Sequence, residues 1–291
     1  WQAFVPAMLA RARARGIPNF HMFGEVANDD FEPGKIAQNT RRDKLPSVLD
    51  FAFKQGALRS IAGNSATEIW RDFFSQDVLY EGGDAAAVQL PTFLGNHDQG
   101  RFAHYVRKAF PQASDDEVLK RVMLGHVLMF TARGVPTVYY GDEQGFAGDG
   151  IDQDAREDMF PSRVAVYNDN RLLGTTATTA QANFDTAHPL YRFIRQLSGI
   201  RLNSAPLRRG ATVIRATGDE PGLLAFSRIL DGREVLVALN TSAKPVSTNV
   251  QVEAASSNFA QVLGQCPAQA TAPGSVRISL PPLGYAICNA R

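Results

Sequence analysis

The sequence predicts an α/β fold, the C-terminal half of a (β/α)8 TIM barrel, followed by an antiparallel β-sandwich domain. Three observations predict it. Over the first two thirds of the 291 residues, apolar runs alternate with helical patterns four times, and buried strands alternating with helices imply a parallel sheet. The chain opens on a helical pattern, as if cut out of a longer alternation. Beyond Pro206 the texture changes to short β-rich runs separated by Gly, Pro and Asp-Gly breaks, as in a sandwich. The expected domains are 1–204, a partial barrel, and 205–291, the β domain.

The elements follow in order. Phe4, Met8, Leu9 and Ala12 suit an amphipathic helix over 1–15 that ends at Gly16. Runs 17–23, 48–53, 91–94 and 135–140 read as buried strands, with helical stretches at 57–62 and 67–79. Ser114 to Glu117 has the form of a capping box opening a helix to Arg133. Positions 141–187, rich in Gly, Asp, Asn and Thr, read as long surface loop. Pro189 then precedes Leu190, Phe193, Ile194, Leu197 and Ile200, an apolar helical face ending near Asn203. Five strands follow, at 212–215, 223–228, 235–239, 246–252 and 276–280.

Thirty basic against 29 acidic residues, without long runs, leave no electrostatic footprint for nucleic acid or an anionic membrane and point to a neutral partner. The most apolar stretch, 122–140, is interrupted by His126, Arg133, Gly134 and Pro136, so no membrane span is expected. The chain opens with Trp-Gln-Ala-Phe rather than Met: the mature chain begins here, or an N-terminal part is absent. Two cysteines, Cys266 and Cys288, form one disulfide in an exported protein, the favoured reading, or are two buried thiols.

Polar clusters sit at three strand ends: Gly24-Glu25, Asn96-His97-Asp98 and Gly141-Asp142-Glu143. On one barrel all three would rise on the rim where such folds hold their active sites. Two carboxyl groups with an imidazole beside the second suit glycosidic cleavage, in which one acid protonates the leaving oxygen and anions support the positively charged transition state. Other readings are blander. Asn and Asp cap turns after strands, and Asp142 and Glu143 are expected to pair with Arg or cap the rim. Asp149, Asp152, Asp154 and Asp158 could ligate calcium, but their spacing matches no complete ligand set and Arg156 intervenes, so a solvated or substrate-lining loop is preferred. His21 and His126 read as core histidines, and Trp1 and Trp70 as packing residues. Arg101, Phe102 and Tyr105 line a sugar subsite or form the first turn of a helix.

The segments FGEV (23–26), FLGNHD (93–98) and GVPTVYYGDEQGF (134–146) resemble three consecutive signature regions of the α-amylase family, glycoside hydrolase family 13. DQDAREDMFPSR (152–163), the HPLYRFIRQL helix and a C-terminal β domain extend the resemblance over nearly the whole chain. It implies that the strands are barrel strands 5 to 8. Glu25 is then the general acid/base and Asp98 the transition-state stabiliser, with His97, Asn96 and Arg101 as substrate-binding residues. The substrate would be an α-glucan or maltooligosaccharide cleaved at α-1,4 bonds by a retaining mechanism, the enzyme secreted or periplasmic.

The same resemblance places the nucleophilic Asp after the fourth strand, in a segment that the 291 residues do not contain. A retaining enzyme loses most of its rate without that carboxylate. The chain is therefore expected to be the C-terminal portion of a longer enzyme, to need the N-terminal half of the barrel, and neither to fold well nor to hydrolyse glucan alone. No cofactor is expected in this segment, with calcium possible in the full-length enzyme. The alternatives are a transglycosylase or disaccharide isomerase of the same family, amylosucrase-like or trehalose synthase-like, or a non-catalytic glucan-binding relative.

Overall fold

The computed structural model describes residues 1–28 and 30–291. Helix α1 (Phe4–Ala14) ends where Gly16 takes φ 75° and lets the Ile17 amide reach back to the Ala12 carbonyl at 2.9 Å. The backbone then meets the first of four parallel segments. Gly24 bridges Val48 in parallel, the Asp50 amide donates to the Pro91 carbonyl (2.9 Å), and strand β1 (Pro91–Thr92) pairs in parallel with β2 (Val135–Pro136). The ladder thus runs 24, 48, 91, 135 in chain order, as expected of successive βα units.

The rungs are much shorter than the apolar runs suggest. Strands β1 and β2 pair over two residues each, the amides of Val135 and Thr137 donating to the carbonyls of Leu90 and Thr92 (both 2.7 Å). The 17–23 run makes no strand among the described residues: Ile17, Phe20 and Phe23 are exposed, and so is His21, which is not a core histidine. Val135 and Tyr140 are likewise exposed. Trp1 lies on the surface in edge contact with Phe4, whereas Trp70 is fully buried.

Helices α2 (Pro33–Arg42), α3 (Phe51–Ser60), α4 (Ile69–Ser75) and α5 (Asp84–Ala87) fill the connection before β1. Asp50 caps α3 by accepting from the Phe53 amide at 3.1 Å. Arg133 sits between Asp50 and Asp77: its Nη2 lies 2.7 Å from Asp77, its Nη1 donates to Asp50, and its guanidinium covers the Phe73 ring at 4.6 Å. Phe53 and Trp70 pack on Phe73, and all three rings are buried, each stabilising by about 1.5–3 kcal/mol.

Helix α6 (Phe102–Ala109) leads to α7 (Asp115–Thr131). Ser114 accepts from the Glu117 amide at 3.2 Å, but the Glu117 carboxylate turns to Arg121 at 2.9 Å, so only half of the expected capping box forms. His126 is a core histidine, its Nδ1 2.9 Å from the Val122 carbonyl; burial pushes its pKa down to about 4. After β2 the chain is mostly loop, broken by short 3-10 turns at Asp142–Gln144 and Asp152–Ala155 and by a short helix, α8 (Ala165–Asn168). Helix α9 (Pro189–Leu202) starts on Pro and ends against Asn203. From it, buried Arg201 reaches back to the end of α7, donating to the carbonyls of Phe130 (2.8 Å), Ala132 (3.0 Å) and Gly134.

A short helix, α10 (Ala205–Arg209), leads into the β part. Strands β3 (Ala211–Ala216), β4 (Leu223–Leu230), β5 (Arg233–Asn240), β7 (Phe259–Gly264) and β9 (Tyr285–Ala290) form an antiparallel sheet in the order β3-β4-β5-β9-β7. Strands β6 (Val246–Gln251) and β8 (Ser275–Leu280) form a second, two-stranded sheet. Leu224, Phe226, Val237 and Ile287 share a core with the helices. The opposite face packs Leu236, Ala238 and Cys288 on Val250, Val276 and Ile278, the alternation that a two-faced strand requires.

Cys266 and Cys288 are joined in a disulfide with a sequence separation of 22. Closing a loop of that size stabilises by about 3 kcal/mol through the unfolded state. Replacing both cysteines by Ser is expected to lower the urea midpoint accordingly; an unchanged midpoint would contradict it. Among the described residues no helix is long and apolar enough to cross a membrane.

Candidate active site

Each ladder segment delivers its polar residues at the same end of the sheet. Glu25 follows the Gly24 rung directly and is exposed, its carboxylate without a hydrogen-bond partner among the described residues. The segment after β1 turns sharply. The amides of Asn96 and Gly100 exchange hydrogen bonds with each other's carbonyls (3.2 and 3.1 Å), and the Asn96 side chain accepts from the amides of Asp98 (3.2 Å) and Gln99 (2.7 Å). Only Gly fits at 95, because a Cβ there would lie 2.4 Å from the Gly100 carbonyl oxygen. Asn96 therefore serves the turn, and the turn throws His97 and Asp98 outward, both about half exposed.

Glu25, Asn96 and His97 line one cleft of about 150 Å³ together with Leu49, Phe93 and Tyr139. Asp98 is not among its lining residues. It lies 3.4 Å from His97 Nε2 and is held from the other side by Arg156, whose Nη2 donates to Asp98 (2.9 Å) and to Asp152 (2.5 Å) and whose Nε donates to the His97 carbonyl (3.2 Å). The Asp152 amide also donates to the Asp98 carbonyl at 3.1 Å. In the sequence Arg156 reads only as a cation interrupting the acidic loop between Asp149 and Asp158; the structure makes it the partner of Asp98. Asp152 is engaged by Arg156, and Asp149 accepts from Asn170 at 2.8 Å. Among the described residues no group of three His, Cys, Asp or Glu side chains could hold a metal ion.

Arg101 lies beneath the rim instead of on it. Its side chain is fully buried, with Nη1 donating to Asp142 (3.1 Å) and the Tyr140 carbonyl (2.8 Å), Nε donating to Glu157, and the Tyr139 ring 4.4 Å away. It thus ties the Asp142 turn and the 152–163 segment to the rim. Asp142 has the structural role expected of it, pairing with an Arg. Phe102 and Tyr105 belong to α6, with Phe102 buried in the core.

Burial pushes the Asp142 carboxyl up to about 7, against the opposing pull of Arg101. A carboxyl raised in the native state holds its proton more tightly folded than unfolded. Its contribution to stability is complete below the ordinary value of 3.8 and is lost as pH rises through about 7. Asp142→Asn keeps an acceptor for Arg101 and does not titrate. It is expected to flatten the unfolding free energy between those pH values, and an unchanged pH profile would contradict the assignment.

A parallel α/β ladder with a polar rim, joined to an antiparallel sheet, places the chain among proteins built from a barrel-type catalytic domain and a β domain. Residues 1–210 match the family described as alpha amylase, catalytic domain, and residues 216–287 match the maltogenic amylase C-terminal domain. The chain belongs to the α-amylase family, glycoside hydrolase family 13. It is 40% identical over 268 residues to the alpha-amylase of Streptomyces lividans, covering 91% of this chain and 29% of that protein. It is 26% identical over 220 residues to a cyclomaltodextrin glucanotransferase of Bacillus sp. (strain 1-1), covering 75% of this chain and 26% of that enzyme. An Anoxybacillus alpha-amylase structure superposes with a TM-score of 0.73 at 22% identity, over 96% of this chain and 53% of that one. The chain therefore spans about half of that structure and less than a third of those two curated relatives.

Proposed function

We propose that the chain supplies one side of the active site of a retaining glycosidase acting on α-1,4 bonds of α-glucan or maltooligosaccharides, its ladder being barrel strands 5 to 8. The observation that carries this reading is the convergence of Glu25, Asn96 and His97 on one cleft at the ends of adjacent parallel segments. An exposed carboxyl without a hydrogen-bond partner among the described residues is placed to serve as the acid. Glu25 protonates the leaving glycosidic oxygen as the C–O bond breaks and a carboxylate forms the glycosyl ester. Glu25 then takes a proton from the water that releases the sugar. Asp98 grips sugar hydroxyls in the charged transition state, and His97 donates to the same ring.

In this reading the attacking carboxylate comes from residues outside these 291, on the N-terminal half of the barrel, and Arg101 acts on the substrate only through the rim it braces. The enzyme works outside the cytoplasm, which the disulfide favours. The test is product analysis on starch and maltose with the enzyme that carries this chain: linear maltooligosaccharides with retained anomeric configuration are expected. Inverted products, or none, would overturn the reading. Similarity to cyclomaltodextrin glucanotransferases supports a second reading, transfer to a sugar acceptor, which would show as cyclic or elongated products.

A further inference from the structure

We propose that Lys54 is a positioning residue for the reaction, a buried ammonium that anchors Gln99 and thereby fixes the turn carrying His97 and Asp98; this rests on the role given to Asp98 in the glycosidase reading above. Lys54 lies near the start of α3 among buried Phe51, Ala52, Phe53 and Ala57, and is itself 1% exposed. A lysine is almost never fully buried unless paired, and Met would fill the same space without the cost of desolvating a charge. An ammonium kept beneath the rim therefore calls for a reason. Further chain packed on the open side of the ladder can only deepen its burial.

The reason lies at the end of its side chain. Nζ donates to Gln99 Oε1 at 2.7 Å, across 45 positions of sequence, and lies 5.8 Å from the centroid of the Tyr105 ring, within cation–π range. The Tyr105 hydroxyl donates to the Gln99 carbonyl at 2.8 Å. The Gln99 amide donates to the Asn96 side chain at 2.7 Å. Gln99 is thus gripped at its amide, its carbonyl and its side chain, and it directly follows Asp98. Gly100, at φ 84°, closes the turn against the Tyr105 ring, which an added Cβ would meet at 3.4 Å.

Both anchors stand on rigid elements. Asp50 caps α3 and is held in turn by buried Arg133, and Tyr105 belongs to α6, whose Phe102, Ala103 and Val106 are buried. The tip of the turn has less support. His97 and Asp98 are about half exposed, and Arg156 holds only their outer side, at the Asp98 carboxylate and the His97 carbonyl. A turn tied on that side alone can pivot about the Asn96–Gly100 pair. The bond from Lys54 opposes the pivot from within, and a charge-assisted hydrogen bond is roughly twice as strong as a neutral one. Misplacing a reacting group by about 1 Å costs on the order of 10²-fold in rate. Because Asp98 acts where charge develops in the transition state, the loss falls on kcat more than on binding.

The test is a double-mutant cycle on maltooligosaccharides in the enzyme that carries this chain, with Lys54→Met, Gln99→Met, both together, and each repeated over Asp98→Asn. The proposal expects each single variant to lose about 10²-fold in kcat with KM within about twofold of the parent, and the pair to lose no more than either alone. Over Asp98→Asn, neither should cost more than about twofold further, since both act through Asp98. A merely structural lysine would instead multiply its loss onto that of Asp98→Asn. Gln99→Met removes the same bond from the half-buried end, so the cycle decides even where Lys54→Met does not fold. A Gln99→Met enzyme with the parent's kcat overturns the proposal, as do losses confined to KM or losses that persist in full over Asp98→Asn. Asp98→Asn measured alone separates the two levels. A crippled Asp98→Asn beside an unimpaired Gln99→Met removes only the role of Lys54, whereas an Asp98→Asn enzyme as fast as the parent overturns the glycosidase reading of Asp98 and the role of Lys54 with it.

Discussion

Glu25→Gln in the enzyme carrying this chain is expected to lower kcat on maltooligosaccharides by about 10²- to 10⁴-fold, the range that a positioned general acid supplies. Gln keeps the size and the hydrogen-bonding oxygen of Glu25 but cannot give up a proton, so binding should be nearly preserved and the loss should fall on kcat. A substrate whose leaving group is already acidic needs little protonation. With an activated aryl maltoside the first step should recover most of its rate, while release of the glycosyl ester stays slow and a burst of the aryl alcohol appears. A variant equally impaired on both substrates, or impaired on neither, would remove Glu25 from the acid/base role.

The largest effect on stability is expected at Arg133. Its guanidinium faces two buried carboxylates, Asp77 through paired contacts of 2.7 to 3.0 Å and Asp50 through Nη1. Arg133→Met fills much of the same space and leaves both acids buried without a counter-charge. Breaking a buried pair in this way costs about 3–5 kcal/mol. Burial already raises the Asp77 carboxyl above its ordinary range even with Arg133 present, and without Arg133 it should rise further. An acid raised in the native state adds most stability at low pH, so the deficit of the variant should be largest near neutrality and shrink as pH falls. Urea unfolding at two pH values measures this. A deficit below about 1 kcal/mol, or one that grows on acidification, would refute the ion-pair account.

The parts of the site that were legible in the sequence are those whose reason is local. A strand tip that runs from Phe93 and Leu94 through Gly95 into three polar residues announces itself, and so does Glu25 after Phe23-Gly24. Arg101 misled because a cation beside a polar triplet looks solvent-facing. Its burial depends on Asp142 and Glu157, 41 and 56 positions away. Arg156 reads in the sequence only as an interruption of the acidic loop, because its partner Asp98 is 58 positions distant. In the fold, the parallel ladder and the helix after Pro189 were readable from periodicity. Helix α2 was not, because Ile36 and Ala37 are its main buried apolar residues in an otherwise polar stretch. Strands β7 (Phe259–Gly264) and β9 (Tyr285–Ala290) are not read from the sequence. What makes β9 a strand is its pairing with β5 on one side and β7 on the other, which no local pattern reports.

The reach of Arg201 to the end of α7 has a kinetic side. The three carbonyls it serves belong to residues 67 to 71 positions earlier in the chain, so the carbonyls at the end of α7 go without this donor until α9 has docked. Closing so long a loop is entropically slow. The start of α7, capped by Ser114, should therefore acquire amide protection early in refolding. Its end should reach full protection only together with α9, and deuterium incorporation at Thr131 and Ala132 would serve as a clock for the docking of α9 on α7.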